Sequence, residues 1–299
     1  MLPEPITSAQ NPKIKRLLAL QKDSSLRRET GLFVVEGQRE LEHCLSAGYA
    51  IDSLFICSDL LRGGVYHPEN FASLIPPTSW APPVHAATGG HSFQGDTLHP
   101  KTYSPKVFEV KREVYEKVAY RGGTEGIIAE IKAKALTLDE LTLPESPLIM
   151  VLESVEMPGN LGAVLRSADA AGADAVLICD PLTDLYNPNL IRASIGAVFT
   201  VPTVACSSGE AIAWLKAKGI QILTAQLQDS SLYYDRDLTR PTALVMGTES
   251  TGLSDKWRQA ADAHIRIPML GRLDSLNVSV SAAILLFEAV RQRQEPQQP

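Results

Sequence analysis

Three short segments in the second half of the chain concentrate glycine, asparagine, serine, glutamate and arginine directly after apolar runs. The first is Glu153-Ser154-Val155-Glu156-Met157-Pro158-Gly159-Asn160-Leu161-Gly162-Ala163-Val164-Leu165-Arg166, a strand-to-helix turn in which Asn160 is expected at the N-cap. Leu161, Val164, Leu165 and Ala168 recur at helical spacing as a buried stripe, with the polar Arg166 beside it. In the second, Met246-Gly247-Thr248-Glu249-Ser250-Thr251-Gly252-Leu253-Ser254, two glycines bracket a carboxylate and let backbone approach a ligand closely. The third, Ile267-Pro268-Met269-Leu270-Gly271-Arg272-Leu273-Asp274-Ser275-Leu276-Asn277-Val278-Ser279-Val280, ends a strand and opens an apolar helix with Asn and Ser, where ordinary capping also places them. A serine-hydrolase elbow would need Ser where Glu249 stands, and a Walker loop would need Gly-Lys-Ser/Thr; neither occurs in the second segment.

The elements that must position these segments alternate. Residues 148–152, 175–179, 220–224, 243–246 and 265–267 read as strands, and residues 161–171, 209–218 and 278–293 as helices. Strands separated by helices imply a parallel, doubly wound α/β sheet, and ligands of such sheets sit beyond the carboxyl ends of the strands. All three segments fall there. No strand is followed by the glycine fingerprint of a dinucleotide-binding turn, which speaks against a nucleotide-dependent oxidoreductase.

Two prolines in residues 143–147 mark a linker at about 144–147, separating an amino-terminal domain (1–143) from a carboxyl-terminal one (148–299). In the first, a helix is expected over 11–21, a strand over 32–35, a helix over 36–47 closed by Gly48, a strand over 53–57, a charged helix over 107–120 and a strand over 126–131. Residues 62–105 carry Pro76-Pro77, Pro82-Pro83 and Gly89-Gly90 with almost no periodicity, and read as a long loop or insertion. His67, His85, His91 and His99 lie within it at spacings that match no chelate, so no metal site is expected.

The 299 residues suit two domains, and a net charge of -6 excludes a wholesale cationic coat while leaving room for a local one. The first 28 residues hold Lys13, Lys15, Arg16, Lys22, Arg27 and Arg28 against Glu4 and Asp23, a candidate surface for phosphates. Cys44, Cys57, Cys179 and Cys206 form no Cys-x-x-Cys pair, and Cys57 and Cys179 sit in apolar runs as buried reduced thiols would. No signal-peptide core opens the chain and no window is long enough to span a membrane, which points to a cytosolic protein.

Taken in order, Asn160-x-Gly162 with Arg166, then Gly247-x-Glu249 with Gly252-Leu253-Ser254, then Ile267-Pro268-Met269 followed by Ser275-Leu276-Asn277-Val278-Ser279, resemble the three signature motifs of the SpoU (TrmH) family of RNA ribose 2'-O-methyltransferases. Asn187-Pro188-Asn189-Leu190-Ile191-Arg192-Ala193-Ser194-Ile195-Gly196-Ala197 looks like the family's segment between the first two motifs. Softer traces, Ile6-Thr7-Ser8-Ala9-Gln10-Asn11-Pro12, Phe33-Val34-Val35-Glu36-Gly37 and Thr124-Glu125-Gly126-Ile127-Ile128-Ala129, resemble the family's small α/β RNA-binding domain.

The resemblance implies a carboxyl-terminal parallel sheet tied in a trefoil knot, S-adenosyl-L-methionine as cofactor, an RNA substrate (ribosomal RNA ahead of tRNA) and a homodimer. Carried over by position, it places the cofactor against Thr224, Ala225, Gln226, Gly247, Glu249, Gly252, Ile267, Met269, Leu276, Asn277 and Ser279. It makes Arg166, Asn160, Glu249 and Asn277 the catalytic set. An arginine keeps its proton, so Arg166 would bind the phosphate beside the reacting ribose and orient its hydroxyl. Asn160 would hold the nucleotide, Glu249 would fix the Asn or Arg rotamers or act as general base, and Asn277 would shape the pocket. RNA would meet Lys13, Lys15, Arg16, Arg27, Arg28, Arg166 and Arg192. A non-catalytic RNA-binding protein on the same fold is the alternative.

Overall fold

Beginning at the amino terminus, the elements are β1 (Glu4–Ile6), α1 (Pro12–Lys22), α2 (Ser24–Thr30), β2 (Leu32–Glu36), α3 (Gln38–Ser46), β3 (Ile51–Ile56), β4 (Lys106–Val110), α4 (Arg112–Val118) and β5 (Ile127–Lys132). The computed structural model describes residues 3–61, 105–120, 125–248, 251–272 and 275–294. Nearly all of the expected insertion, with its four histidines, lies outside the described residues.

α1 forms where Ile14, Leu17 and Leu20 recur on one face, and all three are fully buried. α3 ends as expected, with Gly48 in the left-handed conformation just past its cap. The strands make a five-stranded sheet in the order β1-β4-β3-β5-β2, with β4 parallel to β1 and β3, and β5 antiparallel to β3.

The single helix expected over 107–120 is instead a strand and a short helix, β4 and α4. Phe108 and Val110 alternate inward with half-buried Val107 and Glu109, a period of two, and two neighbouring strands take up the backbone bonds. Helical spacing resumes only at Val114, Tyr115 and Val118. β2 and β5 lie side by side and carry two of the softer motifs: Gly37 N–H donates to Ile127 O at 3.2 Å, and Glu125 accepts from Gln38 N–H at 2.6 Å.

The second series runs β6 (Leu148–Glu153), α5 (Pro158–Ala170), β7 (Ala175–Cys179), α6 (Pro188–Ser194), α7 (Ala197–Thr200), β8 (Thr203–Cys206), α8 (Ser208–Ala217), β9 (Gln221–Ala225), β10 (Ser231–Leu232), β11 (Thr242–Met246), α9 (Asp255–Ala260), β12 (Ala263–Arg266) and α10 (Val278–Gln294). The sheet order is β10-β12-β9-β11-β6-β7-β8, and every neighbouring pair is parallel. The expected parallel sheet is therefore present.

Its core joins Ile149, Val151, Leu177, Ile222 and Val245 from the strands to Trp214 on α8 and Trp257 on α9. β6 is buried along its whole length, as a central parallel strand must be. α5 starts two residues before the expected Asn160 cap, at Pro158, whose fixed φ suits the first helical position, and its N-cap is Met157. Gly162 lets α6 approach, since a Cβ there would lie 2.5 Å from the Ala193 Cβ.

The chain clusters into two units, Met1–Lys22 with Val34–Lys132, and Asp23–Phe33 with Ala133–Pro299. The second unit thus takes in α2 and begins before the proline-rich stretch, because Leu136, Leu138, Leu141 and Leu143 pack on its core.

Candidate active site

Since β6, β11, β9 and β12 run parallel, their carboxyl ends share one edge. Register pairs Met246 with Leu152, Val245 with Thr224 and Ile265 with Ala225, so Glu153, Gly247, Gln226 and Ile267 emerge there together. The chain leaves β6 toward β7 and leaves β11 toward β12, on opposite sides of the sheet order. Ligands of doubly wound sheets bind at such a reversal.

The first and third motifs touch. Asn277 Nδ2 donates to Asn160 Oδ1 at 3.1 Å, across 117 positions of sequence. Asn277 also caps α10, its Oδ1 accepting from Ser279 N–H at 3.0 Å and from Ser279 Oγ–H at 2.6 Å. Capping and site assembly are the work of one side chain. α10 packs against α5, on which Arg166 is exposed and makes no hydrogen bond or ion pair with the described residues. Arg192 is exposed on α6, and Glu249 lies outside the described residues.

Beyond β12, a cavity of about 340 Å³ is lined by Leu227, Arg266, Ile267, Pro268, Met269, Gly271 and Arg272. Ile267 and Met269 were anticipated for the cofactor; Leu227, Arg266 and Arg272 were not. Arg266 is held by the Ser230 carbonyl. Beside Leu227, Gln226 Oε1 is buried without a hydrogen-bond partner among the described residues, although its Nε2 donates to Gln228 O at 2.9 Å. A buried acceptor left open next to a cavity suits a ligand that brings a donor. Leu276 is 38% exposed and Ser279 half-buried, but neither lines this cavity. Thr224 is fully buried, with its Oγ1 2.6 Å from His264 Nδ1, so its side chain is committed within the sheet.

The glycines of the second motif serve the loop itself. A Cβ on Gly247 would lie 2.3 Å from Gly252 O, and Gly252 N–H donates to Thr248 O at 3.0 Å. Gly247 is therefore required by backbone folding back on backbone, where the sequence suggested room for a ligand. Gly252 adopts a left-handed φ of 68°, which glycine tolerates.

A buried polar cluster was not anticipated from the sequence. Glu153 is 6% exposed, and its carboxylate accepts from Ser254 N–H at 2.8 Å and Ser254 Oγ–H at 2.6 Å. Ser208 Oγ donates to Asp180 Oδ2 at 2.6 Å and accepts from Trp257 Nε1 at 2.9 Å. The available signal was the acidic residue closing an otherwise apolar strand, Leu152-Glu153. Next to the cluster, Cys179 and Cys206 are cross-strand neighbours with Sγ atoms 3.9 Å apart. Their hydrogen bond and burial push the Cys179 thiol well above its ordinary value.

Three of the six basic residues near the amino terminus, Lys13, Arg16 and Arg27, are paired with carboxylates. Arg16 pairs with Glu130, whose side chain is fully buried, Nε donating at 3.1 Å. Arg27 is 5% exposed and its Nε meets Asp184 Oδ2 at 2.6 Å. Lys13 binds Glu4 at 2.7 Å and stands 4.6 Å from the Phe108 ring centroid. Arg16 and Arg27, named from the sequence as RNA contacts, both pair with carboxylates of the fold, Arg27 buried and Arg16 with its side chain 41% exposed. Lys15, Lys22 and Arg28 are exposed.

Comparison with known proteins matches residues 147–287 to the SpoU rRNA methylase family and residues 11–129 to the MRM3-like substrate binding domain. The 23S rRNA (guanosine-2'-O-)-methyltransferase RlmB of Vibrio parahaemolyticus is 37% identical over 191 residues, 62% of this chain and 77% of that protein. The chain belongs to the SpoU rRNA methylase family. A 23S rRNA (uridine(2479)-2'-O)-methyltransferase of Streptomyces viridochromogenes is 37% identical over 174 residues, which cover 56% of this chain and 60% of the relative's length. The crystal structure of an AdoMet-bound rRNA methyltransferase from Sinorhizobium meliloti superposes with a TM-score of 0.79 at 28% identity, covering 96% of this chain and 97% of that one. Among the described residues no helix is long and apolar enough to cross a membrane.

Proposed function

We propose that this chain methylates the 2'-hydroxyl of a nucleotide in large-subunit ribosomal RNA, with S-adenosyl-L-methionine as methyl donor. The observation that carries the reading is the Asn277–Asn160 hydrogen bond, which joins two motifs at the edge where the second motif also emerges. The 23S rRNA substrates named for both relatives support a ribosomal target over tRNA.

The residues present fit the cofactor. The cavity by Ile267 and Met269 falls at the lower end of the size range of small-molecule sites, and Gln226, the residue before the lining Leu227, keeps a buried Oε1 without a partner among the described residues. When bound, S-adenosylmethionine supplies an electrophilic methyl sulfonium. Arg166, exposed and without a partner among the described residues, binds the phosphate next to the target ribose and orients its hydroxyl. In this reading that phosphate receives the hydroxyl proton. Asn160, its amide turned by Asn277, holds the nucleotide.

A homodimer and the trefoil knot belong to the same reading. Val280 and Phe287, seven apart on α10, stay 47% and 48% exposed, an apolar face for a second copy. Sedimentation of the purified chain as a monomer would remove the dimer from the proposal.

The test is transfer of a labelled methyl group from S-adenosylmethionine to total RNA, followed by sizing and nuclease digestion. A 2'-O-methylated nucleoside in large-subunit RNA is the expected product. Label confined to tRNA would move the substrate, and a bound cofactor without any transfer would favour a non-catalytic RNA-binding protein.

A further inference from the structure

The Glu153 carboxylate has more hydrogen-bond donors aimed at it than β6 needs for its own folding. The backbone of β6 is paired on both sides, by β7 and β11, so the carboxylate takes no part in its ladder. It is buried, and its two oxygens take the two donors of one residue, Ser254 N–H at 2.8 Å and Ser254 Oγ–H at 2.6 Å. Ser208 Oγ is 3.3 Å from Oε1, but a hydroxyl has one proton, and the 2.6 Å distance to Asp180 claims it. Ser254 is thus the strong partner.

Ser254 is where the second motif ends. The loop leaves β11 at Gly247, folds back so that Gly247 and Gly252 meet backbone to backbone, and buries Leu253 at 4% exposure. It then reaches Ser254, gripped by the end of the neighbouring strand. We propose that Glu153 is a positioning residue for methyl transfer: by holding Ser254 it fixes residues 252–254, the returning arm of the second motif, at the strand-end edge from which the cavity-lining segment after β12 also emerges. The inference rests on the function proposed above.

A carboxylate accepts from both Ser254 groups at once, whereas the amide of Glu153→Gln keeps one acceptor and must donate to the Ser254 hydroxyl, which then turns its proton away and loses the charge-assisted bond. Charge-assisted bonds of this kind exceed neutral ones in strength, and a loop released from its anchor must be ordered again by each ligand.

The experiment is calorimetric titration of the full chain with S-adenosylmethionine, for wild type, Glu153→Asp, Glu153→Gln, Ser254→Ala and the Glu153→Gln/Ser254→Ala double variant. Denaturant unfolding without cofactor runs in parallel. The expected result is a Kd raised about tenfold or more by Glu153→Gln. Glu153→Asp should fall between it and wild type, Ser254→Ala should weaken binding in the same direction, and the double variant should be no worse than Glu153→Gln alone. A lowered unfolding midpoint with unchanged Kd in the folded variants overturns the proposal and makes Glu153 a structural residue only. If Glu153→Gln does not fold, Ser254→Ala decides by itself, and wild-type affinity in it overturns the proposal. A wild-type chain that binds no S-adenosylmethionine overturns the functional reading as well, whereas binding by wild type with unaffected variants overturns this inference alone.

Discussion

Arg27 on α2 and Arg166 on α5 sit in the same unit, yet the fold uses them in opposite ways. Arg27 is 5% exposed and ends on Asp184, while Arg166 is exposed with no partner among the described residues. Arg16 repeats the first pattern against the buried Glu130. A guanidinium facing an internal carboxylate is a tie between segments, because removing either partner strands a desolvated charge. One left exposed on a helix, with no partner among the described residues, is available to a phosphate. Residue type and local charge density do not separate the two cases.

The contrast is most exposed to test at Arg166. Arg166→Ala should lower methyl transfer by about 10²–10³-fold, the cost of losing one well-placed charged donor, while S-adenosylmethionine affinity and unfolding midpoint stay near wild type. A large loss of cofactor affinity would place Arg166 on the cofactor and break the comparison. Arg27→Ala should do the reverse, costing about 3 kcal/mol in denaturant unfolding with unchanged activity per folded molecule.

Gly247→Ala tests whether the second motif is built by its own backbone. The added Cβ meets Gly252 O, so stability should fall by about 1–3 kcal/mol even without cofactor. Full stability with lost cofactor binding would return Gly247 to the role the sequence suggested. The smallest effect is expected at Lys15, exposed on α1: Lys15→Ala should reduce the slope of log K against log salt for RNA binding by about one. Arg16→Ala should leave that slope unchanged and destabilise the first unit instead.

How much of this was legible follows from the range of the interactions involved. The parallel sheet was readable because β6 and β7 are continuous apolar runs and the helices between carry one-sided stripes, both local patterns. The strand β4 was not, because Val107-Phe108-Glu109-Val110 is too short for periodicity to outweigh the charged helix after it, and pairing with β1 and β3 decided it. The Asn160 cap was displaced by Pro158, which starts the helix earlier.

For the candidate site, the motifs nominated Asn160, Arg166, Gly247, Ile267, Met269 and Asn277 from residue type and order alone. That Asn277 would reach Asn160, that Gly247 would answer to Gly252, and that Glu153 would hold Ser254 were decided by the tertiary structure. So was the fate of each arginine. Periodicity, turn residues and family motifs are written within a few positions of one another, and the sequence determined the elements and the chemistry they carry. Hydrogen bonds and ion pairs between residues about a hundred positions apart depend on strand order and register, which exist only once the sheet has formed.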